Sequence, residues 1–300
     1  MNLTFYGFFS ATGSIFGMAL ALLLLASMRV SMPVAVILVA GMIVLCLPAS
    51  RLVAAVVEKK SNTYTIAGAA FVAAILLPPV LWFGGKYLAG WGLALYAVPT
   101  LAAAAIAYAL AEAIGRLACM SFGCCYGMPL KDASPRLAKL FRRFHTVFHG
   151  ETKKAAYASG LQHEPLIPVQ ALTSVVFTWS GLVGLVFFVM QYWRLALIVP
   201  VVGTWGWRAI AENLRADHRG NTRISIYQMM SIVALVYLAG AAFLLPASGP
   251  APDLIIGLSA VAKLPVFLVL QGLWVLMFLF YGRSRVTASV LSFHVVAERT

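Results

Sequence analysis

Apolar runs long enough to cross a bilayer recur from one end of this chain to the other, and this recurrence limits the possible folds. About 20 apolar residues in helical form span roughly 30 Å of hydrocarbon. Eight such runs can be read, over 4–26, 32–55, 64–84, 91–121, 166–190, 194–212, 224–245 and 254–281. Lipid offers no hydrogen-bond partners, so each run must satisfy its backbone internally, as a helix does. Only 10% of the 300 residues are charged and 62% are hydrophobic, against about 25% charged residues in a soluble domain. The expected fold is therefore all-α: a polytopic membrane bundle of about seven or eight transmembrane helices, forming one domain over 1–300. The run 91–121 is overlong, and a tilt or a break near Gly115 is expected. The polar hinge Gln191-Tyr192-Trp193-Arg194 divides 166–190 from 194–212. The first run lacks both a basic leader and a small-residue cleavage site, so it reads as a retained helix.

The net charge is +13. On a soluble protein this would suggest nucleic acid. Here it fits loop topology and anionic lipid headgroups, and no basic stripe with interleaved aromatics supports nucleic-acid binding. Alternate connections share the charge unevenly. One set holds Arg51, Lys59, Lys60, the stretch Lys131 to Lys154, Arg215, Arg219, Arg223, Arg283 and Arg285; the other holds Arg29, Lys86 and Arg194. The bias rule puts the first set, and both termini, in the cytoplasm.

Residues 128–165 are the one long interruption of the apolar pattern. Ser134-Pro135 reads as an N-cap followed by proline at the first helical position. Leu137, Leu140, Phe141, Phe144, Val147 and Phe148 then share one helical face, opposite Lys139, Arg142 and Arg143, and Gly150 closes the segment as a C-cap. The pattern predicts a short interfacial helix after the fourth span, apolar side down and basic side toward phosphates. A solvated connector is the plainer alternative.

Two polar stretches break the apolar grammar, and charge inside a hydrocarbon segment usually marks function. The first runs from Glu112 to Gly127 and carries Arg116, Cys119, Cys124 and Cys125. The second is Trp207 to Gly220, in which Arg208, Glu212 and Arg215 are spaced i, i+4, i+7 and are expected on one helix face. The bland account of the second is an intrahelical Arg208–Glu212 pair. The functional account is a phosphate clamp, because guanidinium binds phosphate oxygens through paired, charge-assisted bonds.

The order of these elements resembles the prolipoprotein diacylglyceryl transferase family. The elements are Tyr6-Gly7, Gly115-Arg116, Gly123 with Tyr126-Gly127, Pro168-x-Gln170, Arg208 to Asp217, and Ser225-x-x-Gln228. The resemblance covers the chain from its first helix to about residue 235. It implies a bacterial inner-membrane enzyme that moves the diacylglyceryl group of phosphatidylglycerol, or of another anionic phospholipid, onto a lipobox cysteine thiol. Arg116 and Arg208 would hold the donor phosphate, with Glu212 as the third catalytic residue and Arg215 in support. Tyr6, Glu112, Gly115, Cys119, Gly123, Tyr126, Gly127, Gln170 and Gln228 would line the substrate. No cofactor is implied.

The departures from the family pattern fall on the acceptor side. Cys119 stands where the family keeps asparagine, and Cys124 where it keeps an acid. Phe83-Gly84-Gly85 and Leu166-Ile167-Pro168 each lack a family histidine, and Thr204 replaces a tyrosine. The acceptor therefore need not be a lipoprotein, and the sequence does not identify it. His163 and His218 are the candidates for a replacement base; His145, His149 and His294 read as solvated.

Cys46 lies in a purely apolar run and reads as packing. Cys119, Cys124 and Cys125 fit no zinc spacing, so no metal is expected. A disulfide from Cys119 to either neighbour, a thiol activated by Arg116 and simple small-residue packing remain open. Two further functional classes compete with the transferase. One is a transporter or flippase for an anionic lipid or small anion, with Arg116, Arg208 and Glu212 lining its path. The other is a membrane redox sensor built on the cysteines.

Overall fold

The computed structural model describes residues 3–57, 65–88, 96–217 and 224–283. It is an all-α membrane bundle, and among the described residues eight helices are long and apolar enough to cross a bilayer. In chain order the helices are α1 (Phe5–Ser27), α2 (Met32–Val57), α3 (Ile66–Leu88), α4 (Ala97–Phe122), α5 (Pro135–Phe141), α6 (Lys154–Ser159), α7 (Val169–Val189), α8 (Trp193–Val201), α9 (Trp207–Ala211), α10 (Ile226–Leu244), α11 (Leu254–Val261) and α12 (Leu264–Gly282). α8 and α9 belong to one span, Trp193–Leu214, joined by a π-helical turn over Val202–Gly206.

The most enclosed span is α4, whereas α2 and α12 remain largely open to lipid. α4 packs chiefly against α1, α7 and α8. Without a hydrophobic drive between helices in lipid, small residues that let backbones approach carry such contacts. Gly13 and Gly17 of α1 do this here. A Cβ on Gly13 would come within 2.7 Å of the Ala111 carbonyl oxygen and 3.1 Å of the Gly115 nitrogen, and one on Gly17 within 2.6 Å of the Ala111 Cβ.

Several boundaries differ from the sequence expectation. α4 runs unbroken through Gly115, where a Cβ would meet nothing within 4 Å. The Gln191 hinge does separate two spans; its residue sits in the left-handed region (φ 64°) and turns the chain. The run 254–281 is two helices, since the break at Ala262-Lys263 starts α12 with Pro265 in its first turn.

The interfacial helix is shorter than expected. α5 follows Ser134-Pro135 as foreseen but stops at Phe141. Beyond it, Thr146 exchanges backbone hydrogen bonds with Leu166 in both directions at 2.9 Å, which an extended strand can do and a helix cannot. Phe148 consequently turns inward against Tyr126, Ala155 and Leu166, while Leu140 and Phe144 stay exposed. Gly150 lies in a loop at φ 99°, and the glycine that caps a helix is Gly160, after α6.

The spans alternate in direction, so Tyr6, the end of α4, the start of α7, Arg215, the start of α10 and the end of α12 collect at one end of the bundle. Gly7 abuts the Gly282 backbone there, and Gly127 pairs with Arg215. Arg29 and Arg194 lie at the opposite end, where Asp253 N–H bonds the Ser27 carbonyl and Arg194 Nε–H bonds the Ala242 carbonyl. Lys59, Lys60, Arg219, Arg223 and Arg285 lie outside the described residues.

Replacing Gly13 by valine is expected to force α1 off α4 and cost about 1–3 kcal/mol, the usual range for overpacking. Thermal unfolding in detergent would read this as a lowered midpoint. Gly41→Val, at an α2 position where a Cβ meets nothing within 4 Å, should leave it unchanged.

Candidate functional site

Tyr108, Glu112 and Arg116 lie at i, i+4 and i+8, a single stripe along α4. Glu112 is about ten residues from the end of α4, or roughly 15 Å along the axis, deep in the bundle. Its Oε1 accepts from Nη2 of both Arg116 and Arg208, the latter at 2.9 Å. Arg208 also donates to the Tyr108 hydroxyl at 2.5 Å. Three rings surround its guanidinium: the Tyr108, Phe177 and Trp205 centroids lie 5.8, 5.9 and 5.7 Å away. The Glu112, Arg116 and Arg208 side chains are 8, 12 and 11% exposed. The Nε atoms of both arginines are buried and have no hydrogen-bond partner.

Arg208 pairs with Glu112 of α4 and not with Glu212, the bland alternative, and Arg215 lies past the helix in extended backbone. The helix is irregular on either side of Arg208. Pro200 denies α8 a backbone donor, and the Thr204 hydroxyl donates to the Pro200 carbonyl at 2.7 Å within the π turn. A 3-10 turn over Glu212–Leu214 follows α9. Between them Trp207–Ala211 is regular α-helix, from which Arg208 reaches across to Tyr108 and Glu112 on α4. Glu212 instead meets Arg215 at 3.6 Å and accepts from the Ser225 hydroxyl at 3.4 Å. Arg215 forms a bidentate pair with Asp217, both contacts at 2.7 Å. Burial opposes the charge on Arg215, yet Cys125, Asp217 and Glu212 more than offset it, so its pKa lies well above that of a free guanidinium.

The cysteine turn closes the same end of the bundle. Gly123 caps α4 in the left-handed region (φ 74°), and Cys125 adopts φ 56°. The reversal brings the sulfurs of Cys119, Cys124 and Cys125 within 4.8 Å of one another. All are thiols, not disulfides. Hydrogen bonds with Cys119 and Cys125, and then burial, keep the Cys124 thiol protonated well above the usual range. Gln170, buried at the start of α7, donates to the Cys124 carbonyl at 2.9 Å. Lys153 donates to the Ser121 carbonyl at 2.6 Å. Tyr6 neighbours all three thiols and packs edge-on against Phe122. Tyr126 is buried and bonded to Ser159, and Gly127 lies against the Ile167 carbonyl, where no side chain would fit.

The remaining expected site residues are structural in placement. Gly115 faces α1. Gln228 completes a capping box with Ser225 and donates to the Ala209 carbonyl and to Asn213 at 3.1 and 3.0 Å. His163 and His149 pair through their Nδ1 atoms at 2.9 Å on the exposed side of the long loop. His145 is exposed and bonded to the Arg142 carbonyl. His218 and His294 lie outside the described residues. The sequence reading missed Tyr108, Phe177 and Trp205. Tyr108 was open to detection, one turn before Glu112; the other two are aromatic residues in apolar runs, indistinguishable there from packing.

Comparison with protein-family models, with curated proteins and with solved structures finds no match for this chain. The likeness to the transferase family therefore rests on the motifs above.

Replacing Glu112 by glutamine should strand two buried guanidinium groups without their shared counter-charge. Removing one partner of a buried ion pair costs about 3–5 kcal/mol, so thermal unfolding in detergent should show a large loss. Adding Arg208→Met to Glu112→Gln should recover part of it. An unchanged midpoint in the single variant would contradict the shared carboxylate.

Proposed function

We propose that this chain is a phospholipid-dependent transferase that moves a diacylglyceryl group from phosphatidylglycerol, or another anionic phospholipid, to an acceptor. The observation that carries the reading is the Arg116–Glu112–Arg208 cluster. Two guanidinium groups share one carboxylate, which leaves one positive charge, and each keeps a buried Nε donor without a partner. A phosphodiester supplies the missing anion and the missing acceptors.

In the proposed reaction the acceptor's nucleophilic atom attacks the glycerol carbon that bears the phosphate. The carbon–oxygen bond breaks, and its electron pair leaves with glycerol phosphate. The leaving group gains charge as that bond breaks, so fixed donors aimed at it lower the barrier. Arg116 and Arg208 take that role. Glu112 holds them at one point, and the rings around Arg208 fix its plane. The motif order and the multi-pass architecture favour a bacterial inner-membrane setting.

Proteoliposomes containing phosphatidylglycerol labelled in the head-group glycerol should release labelled glycerol phosphate when supplied with cell extract. Arg116→Lys and Arg208→Lys retain charge but lose the fork, and each should slow release by about 100-fold, the lower end for losing a transition-state donor. Absence of release with every extract would sink the proposal. Transbilayer movement of the labelled lipid without release would favour the flippase.

A further inference from the structure

We propose that Cys119, Cys124 and Cys125 form a three-thiolate site for Zn²⁺ whose fourth coordination position takes the thiol of an acceptor. The proposal rests on the transferase reading for the role of that fourth ligand, and on geometry for the site itself.

Sequence spacing argues against a metal here, because adjacent cysteines rarely converge. The fold removes that objection. Cys119 projects from the last turn of α4, and two left-handed residues, Gly123 and Cys125, reverse the chain behind it. The three sulfurs then lie within 4.8 Å of one another. Zinc–sulfur bonds of about 2.3 Å place tetrahedral thiolates about 3.8 Å apart, so each sulfur needs to move by no more than about 1 Å. The turn is also held in advance. Gly123 N–H and Cys124 N–H both donate to the Cys119 carbonyl at 2.9 and 3.1 Å, and Ala155 N–H donates to the Gly123 carbonyl at 3.0 Å. Gln170 pins the Cys124 carbonyl from α7. A left-handed conformation costs a non-glycine residue about 1–2 kcal/mol. Packing alone would be met more easily by glycine at 125 than by a third thiol.

Charge agrees with a dication. Three bare thiolates would set three like charges within 4.8 Å of one another. With Zn²⁺ they carry one negative charge in total, and Arg116 and Arg215 lie close by. Soft thiolate ligands select zinc over the hard cations, and metal binding would release the thiol protons.

Three protein ligands and one open position is the pattern of catalytic rather than structural zinc. A thiol entering that position loses its proton and becomes a thiolate nucleophile at neutral pH. Its sulfur then attacks the donor carbon, forming a thioether as the carbon–oxygen bond breaks and glycerol phosphate leaves with the electron pair. The displaced proton passes to solvent, and nothing is oxidised or reduced. This would supply the acceptor activation that the missing histidines leave open.

The test uses the full chain, purified in detergent under reducing conditions, stripped with chelator and titrated with Co²⁺ as the spectroscopic stand-in. One Co²⁺ per chain with an intense thiolate-to-cobalt charge-transfer band is expected, and adding N-acetylcysteine methyl ester should strengthen the band. Cys119→Ser, Cys124→Ser and Cys125→Ser should each weaken binding at least tenfold, while Cys46→Ser should bind like the parent. Absence of stoichiometric binding, binding indifferent to the three substitutions, or a native disulfide found by mass would overturn the site. A band that the added thiol leaves unchanged would overturn its open position. Lipid turnover is measured separately. Turnover without cobalt binding overturns the site and leaves the transferase standing; cobalt binding without turnover does the reverse.

Discussion

The carboxylate of Glu112 sets the terms for the rest of this molecule. Charged groups taken out of water need partners of good geometry, and truncating one leaves the others stranded. Lipid makes the demand stricter. The chain meets it by placing Glu112 on the most enclosed helix and bringing one arginine from the same helix and one from a helix far away in sequence. α4 therefore cannot be a peripheral span. Its apolar faces are packed by α1, α7 and α8, and the spans with the least burial, α2 and α12, carry no such cluster.

Arg208 turns to Glu112 across the helix interface, although Glu212 lies one regular helical turn away on its own helix. The Tyr108 hydroxyl and the Glu112 carboxylate on α4 hold it there. π turns inside helices are often found at functional sites, and this one lies directly before Arg208. Each acid finds a different arginine, and two charge clusters result. Glu112 joins Arg116 to Arg208, and Glu212 with Asp217 holds Arg215.

The number of spans, their approximate bounds and the membrane setting were legible in the sequence, because hydrocarbon thickness fixes run length and charge scarcity marks the class. The buried placement of Arg116 and Arg208 was legible for the same reason, as costly charges in apolar runs. Their partnership was not, since it depends on how two helices pack to bring together side chains 96 and 4 positions from one carboxylate. The amphipathic reading of 134–150 failed similarly. The spacing of Leu137, Phe141, Phe144 and Phe148 suits a helix, but Thr146 forms an isolated backbone bridge with Leu166, and that nonlocal contact decides the backbone. Ser225-x-x-Gln228, a substrate element by family likeness, forms a capping box in the structure, a local chemistry that the same spacing serves.

The cysteines show the reverse case, in which spacing understated the chemistry. Cys124 and Cys125 are neighbours, and in regular structure their side chains diverge. A left-handed residue cancels that divergence, and Gly123 just before it returns the chain to Cys119. The thiol cluster lies close to Arg116 and Arg215, so it adjoins the charged groups proposed to hold the donor. An acceptor atom bound at the cluster and a phosphate bound at Arg116 would approach from adjoining sites at the same end of the bundle. A displacement reaction requires that arrangement, with nucleophile and leaving group held by separate groups and the reacting carbon between them. On the proposed reading this end of the bundle divides the labour, with arginines for the group that leaves and thiols for the atom that attacks.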